Sequence, residues 1–460
     1  MILVDTVFKL EKVEKDILNA EILGVDIETY DYRGKDFGKT RLVQIAVKDE
    51  VFVFDLMKIH FPPYLKQVFQ DGKKVKIFHN GFYDMSYLIK EFDCKFENTF
   101  CTMNATKVLS CGLNVKYSLK SVAKTFLGEE IDKKEQTSDW GGELTQSQIA
   151  YASKDASILL KLYETQTKYL KAKKLNKIAR LENAMQRIDA YNFAKRFFPE
   201  KNLIEEKLSD IEKNVFAGIK PEEIEKAKKL PETINREKEH YIFLKKIKEK
   251  GFYPEFRTNW KTNGFFFQKN YSENLKEVFP DITEVCFFHL QLPAIHSNAR
   301  DFKSAELYSN KEFFKTREFI LLKGIALKDF DLISEYLYLV NDFKKNIPGI
   351  IRWHKKMFGL LAEKKPVRLA SGKLIHTKNF NIEEDREGFI SFLIKAHISD
   401  FYKTFIVLAE KEGFRVLQAD TNRGKIHLLN GNREKIEEII SITSQFTFGK
   451  PIPPHFYKIT

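Results

Sequence analysis

Cysteine is scarce in this chain, and its spacing builds nothing. The 460 residues include four, Cys94, Cys101, Cys111 and Cys286, with no CxxC pair among them. That argues against a disulfide framework or a thiolate zinc module and suits free or buried thiols in a reducing compartment. Long apolar runs are missing too, none approaching the roughly 18 residues a membrane helix needs. The opening stretch "MILVDTVFKLEKVEKD" turns charged too early for a secretory signal and lacks transit-peptide character. There are no internal repeats and no low-complexity linker. A soluble protein of the cytoplasm, nucleoid-associated, is the expectation, with no membrane partner.

What is present is a globular composition, 43% hydrophobic and 31% charged. The length exceeds one ordinary core, so two or three domains are expected. The net charge of +13 is unevenly spread. Residues 1–170 hold 24 Lys and Arg against 25 Asp and Glu, whereas the remainder holds 53 against 39. A basic body beside a near-neutral domain suits a polyanion, nucleic acid above all. A solvated lysine-rich surface explains the charge equally well.

Alternation in "RLVQIAVKDEVFVFDL" (41–56) predicts a β-hairpin, and "KVKIFHN" (74–80) predicts a strand. Helical spacing follows in "GFYDMSYLIKEF" (81–92), "SLKSVAKTFLG" and "TQSQIAYASKDASILLKLYETQTKYL". Strands first and then strand–helix alternation imply a mixed sheet flanked by helices. From about residue 172 the texture becomes charged, amphipathic and helical, with further helical patterns at 311–345 and 349–364. The chain ends with helix (388–412), strand (414–419), strand (425–429) and helix (432–446), an α+β arrangement.

The chemistry gathers in the first 170 residues. The strand "LGVDIETY" places Asp26 and Glu28 on one face, since residues i and i+2 of a strand point the same way. Asp84 falls in the first turns of a helix, four residues after Asn80. Tyr151 and Asp155 are an i, i+4 pair on one helix face. Taken singly, each is an ordinary solvent-facing or capping arrangement. Taken together, they are four carboxylates and a phenol from three elements without local Arg or Lys partners. Such a set calls for divalent cations, and two Mg²⁺ or Mn²⁺ ions suit oxygen ligands that must also admit water and phosphate. Two such ions can activate a water and stabilise the leaving oxygen of a phosphodiester.

"VDIETY", "HNGFYDMSYL" and "DKKEQTSDWGGELTQSQIAYASKDASIL" resemble the three exonuclease motifs of the DEDDy 3′–5′ exonucleases. This DnaQ-like family includes RNase D and the proofreading domain of DNA polymerase I, and the resemblance spans roughly residues 1–171. It implies an RNase H-like fold, metals held by Asp26, Glu28, Asp84 and Asp155, and a water oriented by Tyr151. It also implies that Thr29, Asn80 and the neighbourhood of Phe82 and Tyr83 line the terminal nucleotide. The linking stretch "FCTMNATKVL" fits the family as well, although Cys101 stands where an Asp is usual.

Residues 172–460 resemble a degenerate family A DNA polymerase, with a helical thumb-like part over 172–250 and a palm and fingers remnant over 251–460. "TNWKTNGFFFQKNYSENLKEVFP", "VCFFHLQLPAI", "NIPGIIRWHKKMFGLLAEKKPVRLASGK" and "VLQADTNRGKIHLL" parallel that family's segments in the right order. Yet Cys286 falls at the first catalytic aspartate, Gln291 at the glutamate, and Asp420 is the only acid near the second aspartate. "TREFILLKGIALKDF" replaces the phosphate-gripping helix, with Arg317 and Lys323 off its spacing. The expectation is therefore a DNA 3′–5′ exonuclease releasing nucleoside 5′-monophosphates, with a binding body that has lost synthesis. A divergent proofreading polymerase, an RNase D-like RNA exonuclease and a non-catalytic DNA-binding scaffold are the alternatives. Expected partners are DNA 3′ ends, single-stranded or frayed, with RNA as the alternative and replication or repair proteins beside them.

Overall fold

The computed structural model describes residues 1–30, 38–131, 135, 138–196, 201–226, 232–250, 258–259, 265–266, 281–300, 340, 344–345, 347–381, 386–420 and 424–460. Most of the expected helical stretch over 311–345, including Arg317 and Lys323, and most of the 258–280 segment lie outside the described residues. The chain divides into two compact units, Met1–Ala194 with Gln291–Lys403, and Lys195–Leu290 with Thr404–Thr460.

The first unit opens with β1 (Ile2–Val4), α1 (Val7–Asn19), β2 (Ile22–Tyr30), β3 (Lys39–Val47), β4 (Glu50–Asp55), α2 (Pro63–Gln70), β5 (Val75–Phe78), α3 (Phe82–Phe92), β6 (Thr99–Cys101), α4 (Thr102–Leu109), α5 (Leu119–Leu127), α6 (Gln146–Ala172) and α7 (Asn176–Lys195). Its six strands lie in the order β1-β4-β3-β2-β5-β6. β3 runs antiparallel to both neighbours, whereas β2, β5 and β6 are mutually parallel. The expected hairpin is β3–β4, and the mixed sheet flanked by helices is the fold class read from the sequence.

Period-2 patterning sorts β2 into two faces. Leu23, Val25 and Ile27 enter the core with Val43, Ile45 and Phe54. Gly24, Asp26 and Glu28 take the opposite face, and there α6 lies. A Cβ on Gly24 would stand 2.6 Å from the Ala156 carbonyl oxygen and 3.4 Å from the Leu159 Cβ. Only glycine permits this approach of helix to strand. α6 is fixed at its start by a capping box, in which Thr145 receives the Gln148 backbone N–H and the Gln148 side chain receives that of Thr145.

A second feature opens the sheet. β2 pairs with β5 only over Ile22–Gly24, and a bulge interrupts its pairing with β3 between Glu28 and Thr29. The chain leaves β5 through Asn80, whose φ of 60° is left-handed, and Gly81, where a Cβ would meet that of Phe78 at 2.7 Å. This sharp turn starts α3 beside the free end of β2. Ligand sites of open α/β sheets form in such crevices at the carboxyl ends of strands.

Residues beyond 171 also belong to this unit. Asn183 Oδ1 on α7 accepts the Cys101 backbone N–H at 3.2 Å. The His376 backbone N–H donates to the Cys111 carbonyl at 2.7 Å. Two buried ion pairs, Lys403–Glu182 and Lys373–Asp400, both 2.5 Å, lie within the unit. The Ser371 hydroxyl donates to Asp400 at 2.6 Å.

In the second unit, helices Lys201–Asn214 and Glu232–Lys250 share a core of Ile204, Leu208, Ile211, Tyr241 and Leu244 with Ile282 and Leu417. The amphipathic helical texture expected from about residue 172 is broken after Asn214, where Gly218 takes a φ of 80° and helix resumes at Pro221. Four antiparallel strands follow in the spatial order Arg415–Asp420, Lys425–Leu429, Ile282–Phe287, Tyr457–Ile459.

Gly24→Ala is expected to lower stability by about 1–3 kcal/mol, the range for overpacking, and to weaken whatever activity the β2–α6 face supports. Thermal melts check the first effect; an unchanged melting temperature would show that the contact is not limiting.

Candidate active site

The β2–α6 contact determines what meets what. With Gly24 against Ala156, Asp26 and Glu28 face the turn of α6 that carries Tyr151 and Asp155. Asp84, in the first turn of α3, arrives from the other side and receives the Ile27 backbone N–H. Asp84 and Asp155 are buried, and Asp26 and Glu28 are half-buried. The phenol of Tyr151 hydrogen-bonds Asp155.

Electrostatics report the convergence. The Asp26 carboxyl is raised well above the carboxylate range by burial and then by Asp84, Glu28 and Asp155. Glu28 is raised to about 8 by burial, Asp155 and Asp84. Asp84 is raised to about 7 by burial, against hydrogen bonds from its own and the Ile27 backbone N–H. No lysine or arginine figures among the groups acting on these three acids. Burial first, and then Asp155, push the Tyr151 phenol further up, so it stays protonated at any working pH.

Among the described residues, no three His, Cys, Asp or Glu side chains are drawn together tightly enough to enclose a metal in the arrangement seen. The donor chemistry fits a divalent cation nonetheless: the set is all oxygen and mutually repelling.

Asp26, Glu28, Tyr151 and Asp155 line a cleft of about 790 Å³, as do Thr29 and Asn80. Thr29 Oγ1 shares a 2.7 Å hydrogen bond with the Tyr83 hydroxyl, which bonds onward to Tyr87. The Tyr87 hydroxyl accepts the Gly38 backbone N–H at 3.1 Å. The bulge after Glu28 is thus held by a short phenol chain. Cleft residues that sequence reasoning passed over include His79, Tyr117, Lys120 and Trp140. His79 bonds Thr102 Oγ1 at 2.8 Å and the Tyr117 carbonyl at 2.9 Å, fixing the approach to α5. The only signal for it was its place directly before Asn80.

The polymerase-like positions fall elsewhere. Cys286 lies on the Ile282–Phe287 strand opposite Lys425, and its thiol donates to Glu284 Oε1 at 3.1 Å. Glu284, two residues earlier on the same face, is an acid that the sequence comparison missed. It is occupied by His427 at 2.9 Å and Lys425 at 3.3 Å. The His427 hydrogen bond is the chief cause of its depressed pKa, about 2. The Cys286 thiol is pushed up to about 11 by burial and Glu284, so it is not a thiolate. Gln291 begins the helix Gln291–Ala299. The Asp420 backbone pairs with Lys425, while its side chain lies outside the described residues.

The pH dependence has a defined sign. Glu28 carries a folded-state pKa of about 8 against an ordinary 4.5, so protonated Glu28 favours the fold, and that advantage is lost as pH rises through about 8. In chelator, the melting temperature is expected to fall between pH 5 and 8, with Glu28→Gln flattening the slope and melting higher at pH 8. Each kcal/mol regained would raise it by about 2–4 °C. A wild-type profile as flat as the variant's would contradict the mutual repulsion.

Comparison with known proteins agrees with this geometry. Residues 1–171 match the family model described as "3'-5' exonuclease". Protein RRP6-like 2 of Arabidopsis thaliana is 32% identical over 164 residues, 35% of this chain and 18% of that protein. The exosome complex exonuclease RRP6 of Saccharomyces cerevisiae is 31% identical over 163 residues, 35% of this chain and 22% of that protein. The chain therefore spans about a fifth of the length of these relatives. A solved structure of the POL domain of Pol1 from M. smegmatis, in complex with DNA primer-template and dNTP, covers 100% of this chain and 98% of its own. Its TM-score is 0.69 at 11% identity, a likeness of fold alone. Residues 1–171 thus match a 3′–5′ exonuclease family model and are similar to proteins of the RRP6 type, in a chain whose fold resembles that of the Pol1 POL domain.

Proposed function

We propose that the protein is a divalent-metal-dependent 3′–5′ exonuclease that hydrolyses the terminal phosphodiester of DNA and releases nucleoside 5′-monophosphates. The observation that carries this reading is the meeting of Asp26, Glu28, Asp84 and Asp155, where burial together with the neighbouring carboxylates raises Asp26 and Glu28 above the carboxylate range. In this reading those four carboxylates hold two Mg²⁺ or Mn²⁺ ions. Bound there, the ions supply Lewis-acid neutralisation of the scissile phosphate.

The chain's own groups do the rest. The Tyr151 phenol, protonated and bonded to Asp155, orients the attacking water rather than deprotonating it. Glu28 receives a hydrogen bond from that water or from the 3′-hydroxyl. Thr29 and Asn80 edge the space for the terminal nucleotide, and Trp140 supplies an apolar wall 6.4 Å from Tyr151, ring centre to ring centre. The body from residue 172 onward acts as a polymerase-derived clamp without synthesis. At Glu284 an acid is present, but Lys425 pairs with it and His427 hydrogen-bonds it.

DNA is favoured because the polymerase-like fold covers the whole chain. RNA is the second reading, favoured by the identity of the first third to proteins of the RRP6 type.

A 5′-labelled primer–template with Mg²⁺ or Mn²⁺ tests the reading, with matched RNA beside it. The primer is expected to shorten from its 3′ end, to stay unlengthened when nucleotides are added, and to survive intact with Asp26→Ala. Templated extension would overturn the loss of synthesis, and an inert wild type would overturn the exonuclease. Tyr151→Phe is expected to slow hydrolysis by on the order of 10²-fold while leaving the shape of the pH–rate profile unchanged. Loss of its alkaline-rising limb would instead make the phenol a base.

A further inference from the structure

A second concave site lies in the first unit, well away from the acids, and its charge has the opposite sign. Helix Gln291–Ala299, helix Pro348–Ala362 and the hairpin of Val367–Arg368 with Leu374–Ile375 enclose a pocket of about 550 Å³. Arg300, Arg352, Lys356 and Arg368 line it, and among the described residues no Asp or Glu does. All four are exposed.

Several exposed cations elsewhere on the described surface sit beside carboxylates: Lys124 with Glu130, Lys161 with Glu129, Lys168 with Glu164, Arg433 with Glu437. Arg300, Arg352 and Lys356 make no ion pair among the described residues, and Arg368 spends its donors on the Gly372 and Lys173 carbonyls, both at 2.8 Å. Four like charges in one concavity repel one another unless an anion joins them.

The frame around them is fixed in advance. The Asn298 side chain donates to the Ala294 carbonyl at 2.7 Å and accepts the Ala370 N–H at 2.9 Å. It also meets His397 Nδ1 at 2.7 Å, locking the first helix, the hairpin and the helix Arg386–Lys411 together. Buried Trp353 backs the wall. Three cations on a rigid concave frame suit the oxygens of a phosphate group.

We propose that this pocket binds the phosphodiester backbone of a nucleic-acid strand, at a point remote from the 3′ end being cleaved; the inference rests on the exonuclease reading above. The link to the cleft is α6. Arg368 bonds the carbonyl of Lys173, which caps α6, and Asp155 lies 18 residues back, about 27 Å along the helix axis at 1.5 Å per residue. A dinucleotide cannot span that distance, whereas a longer strand can, so the pocket distinguishes polymer from short product.

The test measures binding without cleavage. Full-length Asp26→Asn in chelator is titrated with a fluorescent single strand of about 20 nucleotides, longer than the 4–16 that single binding modules span. Arg352→Glu with Lys356→Glu is expected to weaken binding by on the order of tenfold per lost contact at about 50 mM salt, and to reduce the slope of log K against log salt by about 0.7 per contact. Lys355→Glu, an exposed position on the same helix that does not line the pocket, is the control, with melting temperatures confirming that each variant is folded. An equal loss in the control would overturn the proposal by reducing the effect to net charge. So would unchanged affinity in the double variant. A nucleoside triphosphate that competes as well as the oligonucleotide at equal phosphate would reassign the pocket to a small ligand, and equal competition by polyglutamate to an acidic protein. Because no hydrolysis is read, pocket-dependent binding by a chain whose wild type is inert would sink the exonuclease reading alone.

Discussion

Helix α6 rests on β2 at the one position of that strand face that carries no side chain. Gly24 lets the Ala156 carbonyl approach to where a Cβ would stand 2.6 Å away, and everything in the cleft follows from this contact. One and five residues earlier on the helix are Asp155 and Tyr151; two and four residues later on the strand are Asp26 and Glu28. The contact forces together groups that repel, and Asp84 at the mouth of α3 adds a further charge. Packing holds what electrostatics opposes, as expected where a fold accepts local cost for a function.

The two units treat acids in contrasting ways. In the cleft, carboxyl groups are buried together and their pKa values rise, to about 8 for Glu28. On the sheet of the second unit, Glu284 has His427, Lys425 and the Cys286 thiol around it, and its pKa falls to about 2. The first arrangement leaves carboxyl groups facing one another, and the second pairs its acid with Lys425 and His427. This difference, more than the identity of any single residue, sets the cleft acids apart from Glu284. The basic pocket at Arg300, Arg352 and Lys356 completes the contrast, a set of cations with no Asp or Glu beside them among the described lining residues.

Much of the cleft was legible beforehand, because its residues obey local periods. Asp26 and Glu28 share a face by the strand period of two, and Tyr151 and Asp155 by the helical i, i+4 rule. Asp84 stands at a helix start marked by the strand-to-helix turn at Asn80. The rest depends on contacts between elements far apart in sequence. Glu284 is satisfied by residues more than 140 positions away, and Arg368 bonds Lys173 across 195. The boundary expected at residue 171 was similarly a matter of motif extent, whereas compactness follows contacts such as Lys403–Glu182 that no local pattern announces. The helix break at Gly218 was readable, since Gly and Pro stand three residues apart there, but amphipathic spacing on both sides masked it.

Manganese binding, followed by the electron paramagnetic resonance of free Mn²⁺, tests the central claim most directly. The account predicts two saturable sites per chain in the presence of a nucleoside 5′-monophosphate, with at least one lost in Asp155→Asn, a variant that keeps the Gly24 contact intact. Saturable binding that is indifferent to Asp155, or no binding at all, would contradict it, because the four carboxylates would then be converging for some reason other than to hold metal.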